Sequence, residues 1–401
     1  MEKLQRQLNT EYAALQGAYW MAYCMVLSFA SVFLLARGYS NSEIGVILAV
    51  SNVLALLIQP LAAELADRSV RISILHILWA LCVLTAAFLI VASLVTVRSA
   101  ALSVSYALAF ALLIVIQPFM TSLSFHMDVW GVHINFGACR AVGSLAYAVL
   151  AAVMGSAVEK LGMDSVPVSG LICTVLFMVF LALISLRGRR RVREEARPAA
   201  GAGAAGSGIW QFIRENKRFS LFLLGAALLF ATHSLLNNFV IVVVRNVGGD
   251  SGDMGRLCGY MALLEMPAMV LFDRLTRKFR CSALLKFSAV LFTVKAAAIF
   301  LAPSVGWMYA AFTLQALSFA VYTPASVKYA MLVVDGKDAV KAQAFLTLTG
   351  TLGSIFASLL GGVMFDTIGP SMTLLVGAGF SAVGSVIAVV AIVPTLTAKK
   401  G

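Results

Sequence analysis

The residues of this 401-residue chain that could do chemistry are few, and most stand inside long apolar runs. Glu265 interrupts one such run within Glu-Met-Pro, where Pro267 removes a backbone donor and loosens the helix beside it. Lys295 interrupts the next run. Charges in such surroundings are costly unless paired or hydrated, so the two are expected either to line a solvated cavity or to form a structural pair. An acid whose ionisation depends on the approach of Lys295 or Arg140 could couple one proton to one gate. Arg140 offers a fork of donors suited to vicinal hydroxyls or a carboxylate, and Tyr147, two turns on, offers an aromatic face for a sugar ring or base. The plainer alternatives are a snorkelling helix-end Arg and a packing Tyr. His233 and Asn237 fall at i and i+4 on one helical face, with Asn238 beside them, and they either face a cavity or glue helices together. His126, Asp128 and His133 read as a solvated connection, and His76 as a packed or interfacial residue.

The elements that must position these groups follow from composition. The chain is 61% hydrophobic and 12% charged, whereas soluble domains carry roughly 25% charge. A membrane-spanning helix takes about 20 apolar residues, and the apolar runs predict spans at Leu15–Ala36, Glu43–Ala66, Ile72–Val95, Ala100–Leu123, Gly137–Val158 and Val166–Leu186. Six more follow at Phe219–Val244, Met254–Leu275, Ser282–Ala302, Trp307–Val333, Lys341–Phe365 and Gly369–Val393. The predicted fold class is therefore an all-α membrane protein of twelve transmembrane helices in two six-helix bundles, 1–186 and 219–401, joined by a linker over 187–218. The polar start, Met1–Thr10, lacks the pattern of a cleaved secretory signal, so the first span is expected to be retained.

Charge placement predicts orientation. Lys3, Arg6, Arg68, Arg71, the 187–218 linker, Arg274, Arg277, Lys278, Arg280, Lys337, Lys341, Lys399 and Lys400 share one side, against Arg37, Arg98, Lys160, Arg245 and Arg256 on the other. The first side, with both termini, is expected to be cytoplasmic, at a plasma (inner) membrane. The linker reads as a basic anchor, Arg187–Arg193, a small-residue stretch and a short amphipathic interfacial helix from Trp210. The net charge of +12 thus reports topology, and no nucleic-acid partner is implied. The six cysteines show no metal or disulfide spacing, so neither metal nor cofactor is expected.

The halves repeat. Gly143–Met154 in the fifth span aligns without gaps to Gly353–Met364 in the eleventh. The second span carries Gln59-Pro60 and ends in Asp67-Arg68, while the eighth carries Glu265-Met-Pro267 and ends in Asp273-Arg274. Such a repeat predicts a solute site between two related bundles, near the membrane midplane.

Four stretches, Gly38–Gly45, Gln59–Arg68, Phe136–Leu145 and Gly361–Gly369, resemble the major facilitator branch that contains lactose permease and the oligosaccharide:proton and nucleoside:proton symporters. The resemblance implies gating by Asp67 and Arg68, and by Asp273 and Arg274 in the second half, although Ala63 and Val70 stand where glycines are usual. It implies sugar-hydroxyl contacts for Glu265, a basic partner in Lys295 and a substrate ligand in Arg140. Gln315 stands where the relatives carry His, Ser318 where they carry the proton-carrying acid, and Thr121 or Ser122 where an acid is expected in the fourth span. Those departures leave Glu265 as the proton-coupling candidate.

The function expected is secondary active transport of a small polar organic solute, of sugar, oligosaccharide or nucleoside type, with protons as candidate co-substrate, by a monomer in the bilayer. The alternatives are a proton-independent facilitator, an exporter, or a receptor-like relative that binds without transport. An enzyme would need clustered His, Asp or Cys or a nucleophile motif, and the sequence shows none.

Overall fold

Apolar stretches in lipid must satisfy their backbone groups within the segment, which leaves the helix as the form each run takes. A computed structural model of the protein describes residues 2–68, 73–129, 131–192, 209–335 and 338–395. Among these residues every regular element is helical. Ten helices are long and apolar enough to cross a membrane, and a pair bent by 43° supplies an eleventh passage. Ser251–Lys278, 28 residues long, carries more charge, including Glu265, and is not among them. The chain is an all-α, multi-pass membrane protein.

The chain divides into two compact units, Met1–Gly201 and Ala202–Gly401. In the first, Glu2–Tyr23 continues through a π-helical stretch, Cys24–Ser28, and a bend into Ala30–Ala36. Asn41–Arg68, Ile74–Leu94, Ala100–Val129, Phe136–Leu161 and Ser165–Val192 complete it. In the second, the short helix Ile209–Glu215 precedes Lys217–Asn238, which breaks at Phe239 and resumes as Val240–Asn246. Ser251–Lys278, Cys281–Phe300, a broken passage from Val305 to Val333, Ala339–Thr367 and Gly369–Ala391 follow.

The internal order of packing is the same in both units. The first helix lies against the fifth and sixth, the second against the fourth, and the third against the fourth and sixth; the seventh to twelfth helices repeat these pairings. The glycines aligned in the sequence hold matching places. A Cβ on Gly143 would meet Trp20 of the first helix, and one on Gly353 would meet the backbone of Ala227 and Ala231 in the seventh. Close helix contact through small residues is how membrane helices associate. The turns repeat as well: Gly38 and Gly248 both have φ 82, where a side chain would be strained.

Besides the bend in the first span and the break at Phe239 in the seventh, further expectations change. The tenth span is not one helix: Val305–Thr313 gives way to a 3-10 turn, Leu314–Ala316, before Phe319–Val333. The break holds no proline, since Pro324 lies in the helix beyond it. The sixth helix also runs on to Val192, into the expected linker, while residues 193–208 lie outside the described residues. The short helix expected there forms at Ile209–Glu215. It is pinned by Phe212, which stacks on Phe345 at 5.2 Å, and it leaves Trp210 78% exposed.

Candidate functional site

Three spans of the second unit bring Glu265, Lys295 and Gln315 into one polar group inside an apolar bundle, and a fourth holds His233 and Asn237, with the Phe292 ring neighbouring both His233 and Lys295. Glu265 and Lys295 were expected either to line a cavity or to form a structural pair, and the structure places Gln315 between them. Lys295 Nζ donates to Gln315 Oε1 at 2.6 Å, and Gln315 Nε2 donates to Glu265 Oε1 at 2.8 Å. The amide is suited to this, since it presents an acceptor to the cation and a donor to the carboxylate. Lys295 is 1% exposed and Gln315 2%, whereas Glu265 is half-buried. The rings of Phe292 and Phe312 lie 5.3 and 5.9 Å from the Lys295 ammonium and favour the cation there. The 3-10 turn carries Gln315 to this place, packed against the eighth and ninth spans.

His233 lies flat on Phe319, with ring centroids 4.2 Å apart and planes 9° from parallel, and meets Phe230 and Phe292 edge-on. The Asn237 amide donates to the His233 carbonyl at 2.7 Å and lies 3.2 Å from His233 Nε2. The i, i+4 spacing thus produces a real contact. Asn238 turns away and donates to Ser358 in the eleventh span at 2.9 Å, a helix-joining role.

In the first unit, Arg140 and Tyr147 share the fifth helix, Phe136–Leu161. The Arg140 guanidinium stacks on Trp20 at 3.8 Å from the ring centroid and donates to Ser144 Oγ at 2.6 Å. Tyr147 Oη and Ser28 Oγ share a hydrogen bond of 2.6 Å, which ties the fifth helix to the π-helical stretch of the first. Trp20 in turn donates to Gln16 Oε1 at 3.3 Å. A cation stacked on an indole beside the Ser144 hydroxyl is a surface suited to a polar ring, with donors at one edge and an aromatic face at the other.

The gating candidates are less informative. Asp67 and Arg68 form the end of Asn41–Arg68, and their side chains, like that of Asp273, lie outside the described residues. Arg274 is exposed. His126 lies on the helix Ala100–Val129 rather than in a loop, with Nδ1 at 3.1 Å from the Ser122 carbonyl. His133 is exposed, and its backbone bonds to Gln5 and Asn9. His76 caps Ile74–Leu94 through Ser73. Lys328 donates to Thr276 Oγ1 at 3.0 Å.

Sequence reasoning missed Trp20, Ser28 and Glu11. Glu11 was left outside the first span, yet the helix begins at Glu2 and Glu11 is 8% exposed, in an ion pair with Arg187 of the sixth. A helical reading that ran back from Leu15 to Glu11 would have found it, since the two share a face at i and i+4. The Arg140–Ser144 and Gln16–Trp20 pairs carried the same signal.

Residues 12–376 match the MFS_1 like family. The chain belongs to that family. As an MFS_1-like protein it is a transporter rather than an enzyme. A Deinococcus radiodurans protein provisionally named a sugar efflux transporter is 28% identical over 151 residues, a match spanning 38% of this chain and 39% of that relative. The uncharacterized transporter YwbF of Bacillus subtilis is 22% identical over 371 residues, covering 90% of this chain and 88% of the relative. The MFS_1-like chain also shares the fold of the nucleoside transporter NupG. A mutant of NupG superimposes with a TM-score of 0.79 at 16% identity, covering 97% of this chain and 100% of NupG.

Proposed function

We propose that this transporter moves a small polar organic solute, of sugar, oligosaccharide or nucleoside type, by alternating access, coupled to protons. The observation that carries the reading is the Glu265–Gln315–Lys295 group, a half-buried carboxylate backed by a sealed amide and ammonium in the interior of a span bundle. Such a carboxylate can accept hydroxyl hydrogen bonds from a solute and can carry a proton, and intramembrane acids are functional sites by default. In the second half His233, Asn237 and Gln315 are further candidate solute contacts, and within the first half Arg140 and Tyr147 are candidates in their own right, each set offering polar groups and an aromatic face. In this reading the halves 1–186 and 219–401 are joined by a cytoplasmic linker over 187–218, both termini are cytoplasmic, and the monomer sits in the plasma (inner) membrane. Asp67, Arg68, Asp273 and Arg274 at the helix ends serve the gate.

The test is uptake of a labelled panel of glycosides, oligosaccharides and nucleosides into proteoliposomes, with and without an inward proton gradient. Gradient-stimulated uptake of one class, lost in Glu265→Gln, is the expected result. Uptake undiminished by a protonophore and independent of pH would reject proton coupling, and unchanged uptake by Glu265→Gln would remove that acid from the site. The provisional name of the Deinococcus radiodurans relative favours export as a second reading. Export predicts that the same solutes are driven only from the face that carries the linker.

A further inference from the structure

The short helix Ile209–Glu215 sorts its side chains by chemistry around its axis. Phe212 is fully buried, stacked on Phe345 of the eleventh span at 5.2 Å and edge-on to Phe219 of the seventh at 6.2 Å. Ile209 and Ile213, one turn apart, and Trp210 beside them are exposed. Arg214 is exposed as well, and Lys217 and Arg218 at the start of the seventh span add two more exposed cations. Among the described residues none of these three cations makes an ion pair. The acid of the helix, Glu215, accepts instead from Gln211 Nε2 at 2.8 Å. The joint to the seventh span is short and stiff. Asn216 alone separates the two helices; its backbone and side-chain N–H groups donate to the Phe212 carbonyl at 2.9 and 3.1 Å, and its carbonyl accepts from Ser220 at 2.8 Å. The helix is thus held one residue from Lys217–Asn238, a passage apolar enough to cross a membrane.

Exposed apolar side chains beside uncompensated cations, at the mouth of an apolar passage, match the headgroup layer of a bilayer whose lipids are anionic. Indole and aliphatic side chains enter the boundary between headgroups and acyl chains, while guanidinium and ammonium groups meet phosphate oxygens. We propose that 209–218 is a docking surface for anionic phospholipid headgroups, and that docking there braces the adjoining end of the eleventh span through Phe212. Ile209, Trp210 and Ile213 insert, and Arg214, Lys217 and Arg218 select for negative charge. Each basic side chain near such a surface strengthens docking roughly fivefold, and the attraction fades beyond about 8 Å at physiological salt. Phe345 stands close to the start of Ala339–Thr367, so a lipid layer that holds Phe212 in place also restrains that end of the span. Lipid charge thereby acts on the second unit without any solute.

The test is hydrogen exchange of the full-length protein, read by mass spectrometry for amides 210–219 and 343–348. The protein is held in nanodiscs of phosphatidylcholine alone, or of phosphatidylcholine and phosphatidylglycerol in equal parts. The anionic discs should slow exchange of both segments roughly tenfold relative to the neutral discs, and raised salt should remove the difference. Replacing Arg214, Lys217 and Arg218 together by Gln should abolish the lipid difference. Exchange of that variant in neutral discs should stay like the parent's, because the Phe212 stack is untouched. Phe212→Leu should keep the lipid response at 210–219 and lose it at 343–348, where the aromatic contact is gone. Soluble glycerol phosphate added to neutral discs should protect neither segment. Identical exchange of the parent in the two kinds of disc overturns the proposal, and that comparison needs no variant to fold. A full lipid response in the triple variant overturns it too, as does protection by glycerol phosphate equal to that of the anionic discs, which would assign the cations to free phosphate. A response at 343–348 that survives Phe212→Leu overturns the brace. No solute is present in any arm, so the outcome is separate from that of the uptake panel.

Discussion

Replacing Gly143 by Ala tests whether the close crossing of the first and fifth helices positions the Arg140 stack. The added Cβ would stand 2.5 Å from Trp20 Cδ1 and 3.3 Å from the Gln16 carbonyl. Carbons meet comfortably at about 3.5 Å, so the indole must move by roughly 1 Å. Overpacking of this kind costs about 1–3 kcal/mol, against which Ala gains roughly 1 kcal/mol over Gly in a helix. The moved ring also weakens the Arg140 stack now at 3.8 Å, a contact of about 0.5–2 kcal/mol. The net expectation is a loss of about 1–2 kcal/mol, a change of about 5–30-fold in the unfolding equilibrium. A matching rise in the KM for solute is expected if Trp20 and Arg140 contact it. Gly137 in the same helix is the control, because its Cβ would find only Asn135 Oδ1 at 3.9 Å. Gly353→Ala should be the most damaging of the three, since it meets backbone atoms at 2.9 and 3.0 Å that no rotamer change relieves. Stability is read by titrating purified protein with SDS, and KM by proteoliposome uptake. Gly143→Ala and Gly137→Ala with equal stability and equal KM would refute the reasoning.

Tyr147→Phe removes the hydroxyl bonded to Ser28, a loss of about 1 kcal/mol. It should raise the KM for solute about fivefold with little change in maximal rate, and uptake kinetics that leave KM unchanged would take Tyr147 out of the site. Arg187→Ala strands the buried Glu11 carboxylate. Breaking a fully buried pair costs about 3–5 kcal/mol, and with the Arg187 side chain 33% exposed the SDS titration should show a loss nearer ~2 kcal/mol, given that solvent screens the partner. The double variant Glu11→Gln, Arg187→Gln should lose less than Arg187→Ala alone.

Membrane passages are legible in a sequence because each is a local event. A run such as Ile74–Leu94 has to satisfy its own backbone in lipid, so its apolar content alone fixes where the helix lies. The repeat was legible for a similar reason. Gly143 and Gly353 each mark a place where a helix comes too close to another for a side chain, and that demand is written at a single position. The Glu265, Lys295 and Arg140 candidates were visible because a charge in an apolar run is conspicuous whatever it touches.

The sequence by itself determined an all-α, multi-pass chain and the residues at which polar chemistry interrupts it, since burial in lipid acts on each residue separately. Only the tertiary structure decided the partners. Lys295, Gln315 and Glu265 lie on three different spans, and nothing in their spacing says that the amide stands between the charges. The break at Leu314–Ala316 carries no proline signal, and the bonds Gln315 makes there reach Lys295 and Glu265 on other helices. Trp20 beneath Arg140 and Arg187 beside Glu11 are brought together by helices far apart in sequence. Hydrogen bonds and ion pairs depend on distances of a few ångströms, and packing between helices, not order along the chain, sets those distances.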